Sequence, residues 1–449
     1  MKFDKLHTIY FIGIGGIGMS ALARYFHVNK KQVSGYDKTP SPNTEALEAM
    51  GIAIHYKDDL NRIPVAVFDK EKTLVVYTPA VPKDHRELNY FIDKGYTVLK
   101  RSEVLGAITR NSFCFAVAGT HGKTTTSALL GHILHEAGVN ATAFLGGISE
   151  NYNSNLILGG DEVSVVEADE FDRSFLRLSP NIACITSMDA DHLDIYGGHE
   201  ALTDSFTEFA AKVSDTLFVR KGLPIQGLTY GIEEEADYVA QNIRVVKGAY
   251  RFDVRTPKEL IQNIELNISG RHNVLNTVVA LAMANVYGVP LTTIAGALKN
   301  FKGVQRRFTY KIKTDELVLI DDYAHHPTEI NAVSDAVREL FPGKKVLAVF
   351  QPHLYSRTRD FADDFARSLG RFDALLLLDI YPARELPIPG ITSDWLLDKV
   401  ELKEKKLIAK EELVGSLVNT DAAVIVMIGA GDIGEMVNPV MKKLMEKVR

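Results

Sequence analysis

The stretch AGTHGKTTT, Ala118 to Thr126, lies between an apolar run and a segment with helical patterning. A strand ending near Gly119 and a helix starting near Lys123 would aim several unpaired backbone N–H groups, and the positive end of the helix dipole, at one point. Such a point suits a polyphosphate. Gly119 and Gly122 permit close backbone approach and positive φ, Lys123 can reach β- and γ-phosphates, and the Thr124 hydroxyl can join a Mg²⁺ shell. The Walker spacing asks for a glycine where Val117 stands. A plain strand-to-helix turn with an exposed lysine is the competing use of these residues.

The run VVEADEFDRSF puts Glu167, Asp169, Glu170 and Asp172 at the end of a second apolar stretch. The mouth of a parallel sheet is where such acids serve a hard cation, although a solvated turn or helix cap uses them equally well. His192 follows the run IACITS within DADHLD. In GRHNVLN, Asn273 and Asn276 are three apart and share a helix face, and GVQRRF supplies the adjacent pair Arg306 and Arg307. Near the start of the chain, GIGGIG follows HTIYFIG and Asp37 ends the run QVSGYD, which together form a dinucleotide fingerprint. The physics asks only for a diphosphate at a helix N-terminus, so UDP is as good a guest as NAD. Toward the other end, DDYAHHP follows LVLI and QPHLYSRTR follows KVLAVF, both at expected strand C-termini; GAGDIG after AVIVMI reads as a structural turn.

These motifs need strands to carry them. The runs HTIYFIG, TLVVYT, FCFAVAG, VSVVEAD, IACITS, LVLID, KVLAVF, ALLLLD and AVIVMIG recur before Gly-rich or polar turns and helix-like segments, as in parallel sheets covered on both faces. The fold class expected is α/β in three domains: a Rossmann-like domain over residues 1–108, a central P-loop ATPase-like domain over 109–310, and a Rossmann-like domain over 311–449. Around RVVKGAYRFDV, between about 215 and 270, the pattern suggests antiparallel strands.

Composition limits the partners. With 449 residues, 46% hydrophobic, the chain can bury several cores, and its formal net charge of -6 leaves no basic field for nucleic acid. The two cysteines, Cys114 and Cys184, lie in apolar runs and read as buried free thiols of a reducing, cytoplasmic protein. Glycines at 13, 15, 16 and 18 break what would be the apolar core of a signal peptide, and no apolar run approaches the roughly 18 residues of a membrane span. Neither a membrane nor a nucleic acid is an expected partner.

GTHGKTTT, EADEFDRSF, MDADHLDIYGG, GRHNVLN, GVQRRF, DDYAHHPTE, QPHLYSRTRDF and YPARELPIPG together resemble the Mur ligase family, whose phosphate loop normally lacks the Walker glycine. The resemblance implies an ATP-dependent carboxylate–amine ligase, here one joining L-alanine to UDP-N-acetylmuramate through an acyl phosphate. A tripeptide-adding recycling ligase and, more remotely, a nicotinamide dehydrogenase are the alternatives. It implies that Gly119, Thr120, His121, Gly122, Lys123, Thr124 and Thr125 hold ATP, with Asn273 and Asn276 near its base and the catalytic centre. It picks Glu167, with Thr124, for Mg²⁺, His192 for a second metal position, and Arg307 for the γ-phosphate. Gly15, Gly16, Ile17 and Gly18 would surround the UDP pyrophosphate, Asp37 having no settled role. Asp322 would meet the ribose and Tyr323 the adenine, and His325, His353 and Arg357 would form the amino-acid pocket, where a guanidinium forks onto a carboxylate. Family relatives often carry arginine where this chain has Leu354.

Overall fold

The computed structural model describes residue 3 and residues 5–189, 199–383 and 385–448. His192 lies outside the described residues. Three sheets organise the chain. The first holds β1 (Thr8–Ile12), β2 (Gln32–Tyr36), β3 (Ala53–His55), β4 (Thr73–Tyr77) and β5 (Thr97–Lys100) in the order β3-β2-β1-β4-β5, all parallel. β1 is buried throughout, which is why TIYFI runs apolar from Ile9 to Ile12 instead of alternating. The order reverses at β1, and the glycine-rich turn leaves its C-terminal end into the helix Ile17–Val28.

The second sheet comprises β6 (Phe113–Ala118), β7 (Ala141–Ser149), β8 (Ser154–Ile157), β9 (Val163–Ala168), β10 (Ile182–Ile185), β11 (Thr216–Arg220), β12 (Leu228–Ile232), β13 (Tyr238–Val246), β14 (Ala249–Arg255) and β15 (Leu260–Leu266). Its order is β15-β14-β13-β12-β11-β10-β6-β9-β7-β8. β6 pairs in parallel with β9 and β10, opposing Val117 to Glu167 and Ala118 to Ile185. That register brings the ends of three motif-bearing strands into one row. The antiparallel expectation needs a correction at its start: β11, β12 and β13 run parallel. On this side of the sheet antiparallel pairing begins at the turn between β13 and β14, where Lys247 (φ 54) and Gly248 (φ 81) make a two-residue link too short for a parallel crossover, and at the other edge β8 pairs antiparallel with β7.

The third sheet holds β16 (Thr309–Lys313), β17 (Val318–Asp322), β18 (Val346–Phe350), β19 (Ala374–Leu377), β20 (Glu404–Leu407) and β21 (Val424–Ile428), ordered β16-β17-β21-β18-β19-β20. All neighbours are parallel except β16 on β17, and Asp322, Ile428, Phe350 and Leu377 share one register row.

Two compact units result. One contains the first sheet and most of the second, which share a core running from Leu6, Phe11 and Phe26 to Phe175 and Phe206. Within it Asn155 Nδ2 donates to Ile17 O at 2.6 Å and to Ser20 Oγ at 2.8 Å. The other contains the third sheet with residues 244–250 and 266–274. Cys114 and Cys184 are free and buried, and burial pushes both thiols up, that of Cys114 to about 12.

Candidate active site

β6 delivers its chain into the helix Lys123–Glu136 through Gly119 (φ 127) and Gly122 (φ 82). Neither glycine tolerates a side chain: a Cβ on Gly119 would stand 2.1 Å from Thr186 Oγ1, and one on Gly122 would stand 2.6 Å from Asn276 Oδ1. Ser187, beyond β10, clasps the loop from below. Its hydroxyl lies 2.8 Å from Thr120 Oγ1 and accepts from His121 N at 2.8 Å, while His121 Nε2 lies 3.2 Å from Asp189 Oδ2. Thr124 and Thr125 are buried in the first helical turn.

Lys123 Nζ donates to Gly119 O at 2.6 Å and to both carboxylate oxygens of Glu170, at 2.9 and 2.6 Å. Burial works against its charge, but Glu170, Asp169 and Glu167 outweigh that, so the ammonium is held charged above the usual lysine range. Glu167 accepts from Thr124 Oγ1 at 3.1 Å, Ser127 Oγ at 3.2 Å and Gly146 N at 2.5 Å. Glu167 and the Thr124 hydroxyl thus offer a pair of oxygen ligands at the loop. Among the described residues no group of three or more His, Cys, Asp or Glu forms a metal cage. The donor set suits Mg²⁺, which keeps several waters and shares substrate phosphates with few protein ligands. Of the two asparagines, the structure brings Asn276 to the loop; Asn273 Nδ2 donates to Ser269 O at 2.6 Å and braces the turn before the helix Arg271–Tyr287.

At the first sheet, Asp37 Oδ2 accepts from Gly15 N at 2.7 Å and Asn43 Nδ2 donates to Gly15 O at 2.9 Å. Asp37 is therefore the brace of the glycine-rich turn. Gly16 caps the helix that Ile17 opens, and a Cβ on Gly18 would meet the Arg101 guanidinium at 2.8 Å. Arg101 lies 3.9 Å from Asp169 on its other side. Nothing in GIGGIG announces this cation, because it comes from the start of another helix, Arg101–Thr109.

In the other unit, both Asp322 oxygens are taken by backbone donors, Phe308 N and Ala324 N at 2.7 Å each, and burial raises its carboxyl to about 6. It clasps the end of β17. Tyr323 receives the guanidinium of Arg306 at 5.1 Å and of Arg307 at 5.2 Å from its ring centre. Arg306 is tied to Asp321 and to Gly429 O, whereas Arg307 lies 3.8 Å from Glu329. His325 packs on Tyr323 and His353, and His353 stacks on Tyr381 with ring centres 5.7 Å apart. Buried Arg357 places Nη1 3.4 Å from His353 Nδ1. Leu354 opens that turn at φ 73, a conformation rare for a branched side chain and of the kind that gathers at functional sites. Sequence reasoning missed Tyr381, although YPARELPIPG contains it. The turn GAGDIG is held by Gln351, which accepts from Ile433 N at 2.9 Å and donates to Asp432 at 2.7 Å.

Three α/β sheets, one with a phosphate loop beside an acid-bearing strand, define a nucleotide-handling class of protein. The chain belongs to the Mur ligase family: it matches the Mur ligase family catalytic domain over residues 8–113, the Mur ligase middle domain over 117–284 and the Mur ligase glutamate ligase domain over 306–433. It is 63% identical, over the whole of both chains, to the UDP-N-acetylmuramate–L-alanine ligase of Flavobacterium psychrophilum. Its fold is similar to the crystal structure of the Thermotoga maritima UDP-N-acetylmuramate–alanine ligase, with TM-score 0.84, 28% identity, and 98% of this chain and 99% of that one covered. A murein peptide ligase from Psychrobacter arcticus shares the fold at TM-score 0.69 and 22% identity, covering 98% of each chain.

Proposed function

We propose that this protein is the ATP-dependent ligase that joins L-alanine to the muramoyl carboxylate of UDP-N-acetylmuramate in the cytoplasm, with ADP and phosphate as co-products. The observation that carries the reading is the charged Lys123 in a glycine turn at a helix start, one strand from Glu167. A free carboxylate resists attack by an amine, so one of its oxygens first takes the γ-phosphoryl group of ATP and ADP departs. The alanine amine then adds to the acyl carbon, and the tetrahedral intermediate loses a proton from nitrogen to solvent and expels phosphate to leave the amide. Lys123, with Arg307 as the second candidate cation, offsets charge during the transfer. Thr124 and Glu167 would hold Mg²⁺, which supplies electrostatic neutralisation of the phosphates.

Division of labour follows the three sheets, with boundaries near residues 108 and 310. The glycine turn braced by Asp37 receives the UDP end, and Arg101 is the cation beside it. The cluster of His325, His353 and Arg357 receives the amino acid. A nicotinamide dehydrogenase would leave the phosphate loop and the acids beside it without a task. The route is tested with ¹⁸O in the muramoyl carboxylate. An acyl phosphate passes one labelled oxygen into the released phosphate, and unlabelled phosphate rules the intermediate out.

A further inference from the structure

Lys123 carries the proposed phosphoryl-transfer charge, yet its ammonium is already fully engaged. An ammonium has three N–H donors, and here one goes to Gly119 O and two go to Glu170. Any phosphate oxygen that is to accept from Nζ must displace one of these bonds. Giving up Gly119 would strip a loop carbonyl of its donor and let the side chain leave the turn. Giving up one of the two carboxylate bonds leaves the ion pair in place. Glu170 is buried and Lys123 is mostly covered, at 2% and 15% exposure, so separating them completely would strand a charge.

We propose that Glu170 is the positioning residue of Lys123: its carboxylate fixes the ammonium over the phosphate loop through two hydrogen bonds and yields one of them to a nucleoside triphosphate. The inference rests on the reading of this loop as the ATP site. Glu170 thereby competes with the incoming phosphate for the same cation, trading some nucleotide affinity for a lysine whose position is fixed before transfer begins. It differs from Glu167, whose carboxylate accepts from Thr124, Ser127 and Gly146 N.

Glu170→Gln keeps the volume and removes the competing anion. Calorimetric titration with ATP, without the other substrates, should show Kd falling by on the order of tenfold, while turnover falls because the ammonium is no longer held. In a Lys123→Ala background the same substitution should leave Kd unchanged. Unchanged or weaker ATP binding in the single variant, or an equal gain without Lys123, overturns the proposal. Loss of ATP affinity in Lys123→Ala is the separate check on the loop itself: if that variant binds ATP normally, the ATP reading fails before the question of Glu170 arises. Should Glu170→Gln not fold, Glu170→Asp carries the test, since it keeps the charge and shortens the reach. Its ATP Kd should stay within about twofold of wild type while turnover drops by roughly tenfold or more, and wild-type turnover would count against the proposal.

Discussion

At the scale of single residues, the site separates groups that face a ligand from groups that hold the backbone. In the proposed reading Lys123 is of the first kind. Lys123→Ala should cost on the order of 10²-fold or more in turnover with the fold retained, because one cation is removed from the transferring phosphoryl group. Near-normal steady-state rates would contradict that role. Arg357, beside His353, should act on the amino acid: Arg357→Lys keeps the charge but loses the planar fork, so the KM for L-alanine should rise far more than that for ATP. Equal rises in the two constants would remove Arg357 from the pocket. The turns that carry the lysine and the arginine could be read from sequence because an unbroken strand run precedes each of them. Asp37 and Asp322 show what could not be read. A carboxylate at a strand end is visible in the sequence, but the backbone N–H groups it accepts from become visible only once the turn is built. Arg101 was hidden for a related reason, since only folding brings it against Gly18.

At the scale of elements, strands buried on both faces were legible and edge strands were not. IYFI, VIVMI and VLAVF are unbroken apolar runs because both faces of these strands are buried. β20, EKKL, was missed because it is a short polar edge; β7, ATAFLGGIS, lies inside its sheet and was missed for another reason, the two glycines that interrupt it. The parallel run β11-β12-β13 was mistaken for antiparallel because polar spacing marks partial exposure and carries no information on direction. The first sheet also hides a buried polar knot. Tyr10 on β1 donates to Glu87 Oε2 at 2.6 Å and lies 2.8 Å from His55 Nε2, while Asp59 N donates to Glu87 Oε1 at 3.0 Å. Burial raises the Glu87 carboxyl from 4.5 to about 7, with Asp58 and Asp59 adding to it against the hydrogen bonds. A carboxyl raised in the folded state binds more protons folded than unfolded, so its contribution to stability is full below about 4.5 and is lost as pH rises through about 7. Glu87→Gln should therefore flatten the fall in urea midpoint between pH 5 and pH 7.5, at about 1.4 kcal/mol per unit of pKa difference removed. An unaltered slope would place the pH dependence elsewhere.

At the scale of the whole chain, alternation of strands and helices made three α/β regions legible, but not the way they associate. The first sheet shares its core with the second through contacts such as Tyr25 on Phe144, which no local pattern encodes. Among the described residues no helix is long and apolar enough to cross a membrane. Specificity for the amino acid also belongs to this scale, because it decides which ligase of the family the chain is. Alanine offers only a methyl, and one methylene is worth about 1 to 3 kcal/mol of discrimination, so glycine and L-serine should be poor substrates and not silent ones. The direct measurement is phosphate release from ATP with UDP-N-acetylmuramate across a panel of single amino acids and the murein tripeptide. The account predicts release dependent on the nucleotide sugar, highest with L-alanine, weak with glycine and L-serine, and at background with the tripeptide. Efficient release with the tripeptide, or release that ignores the amino acid supplied, would contradict it.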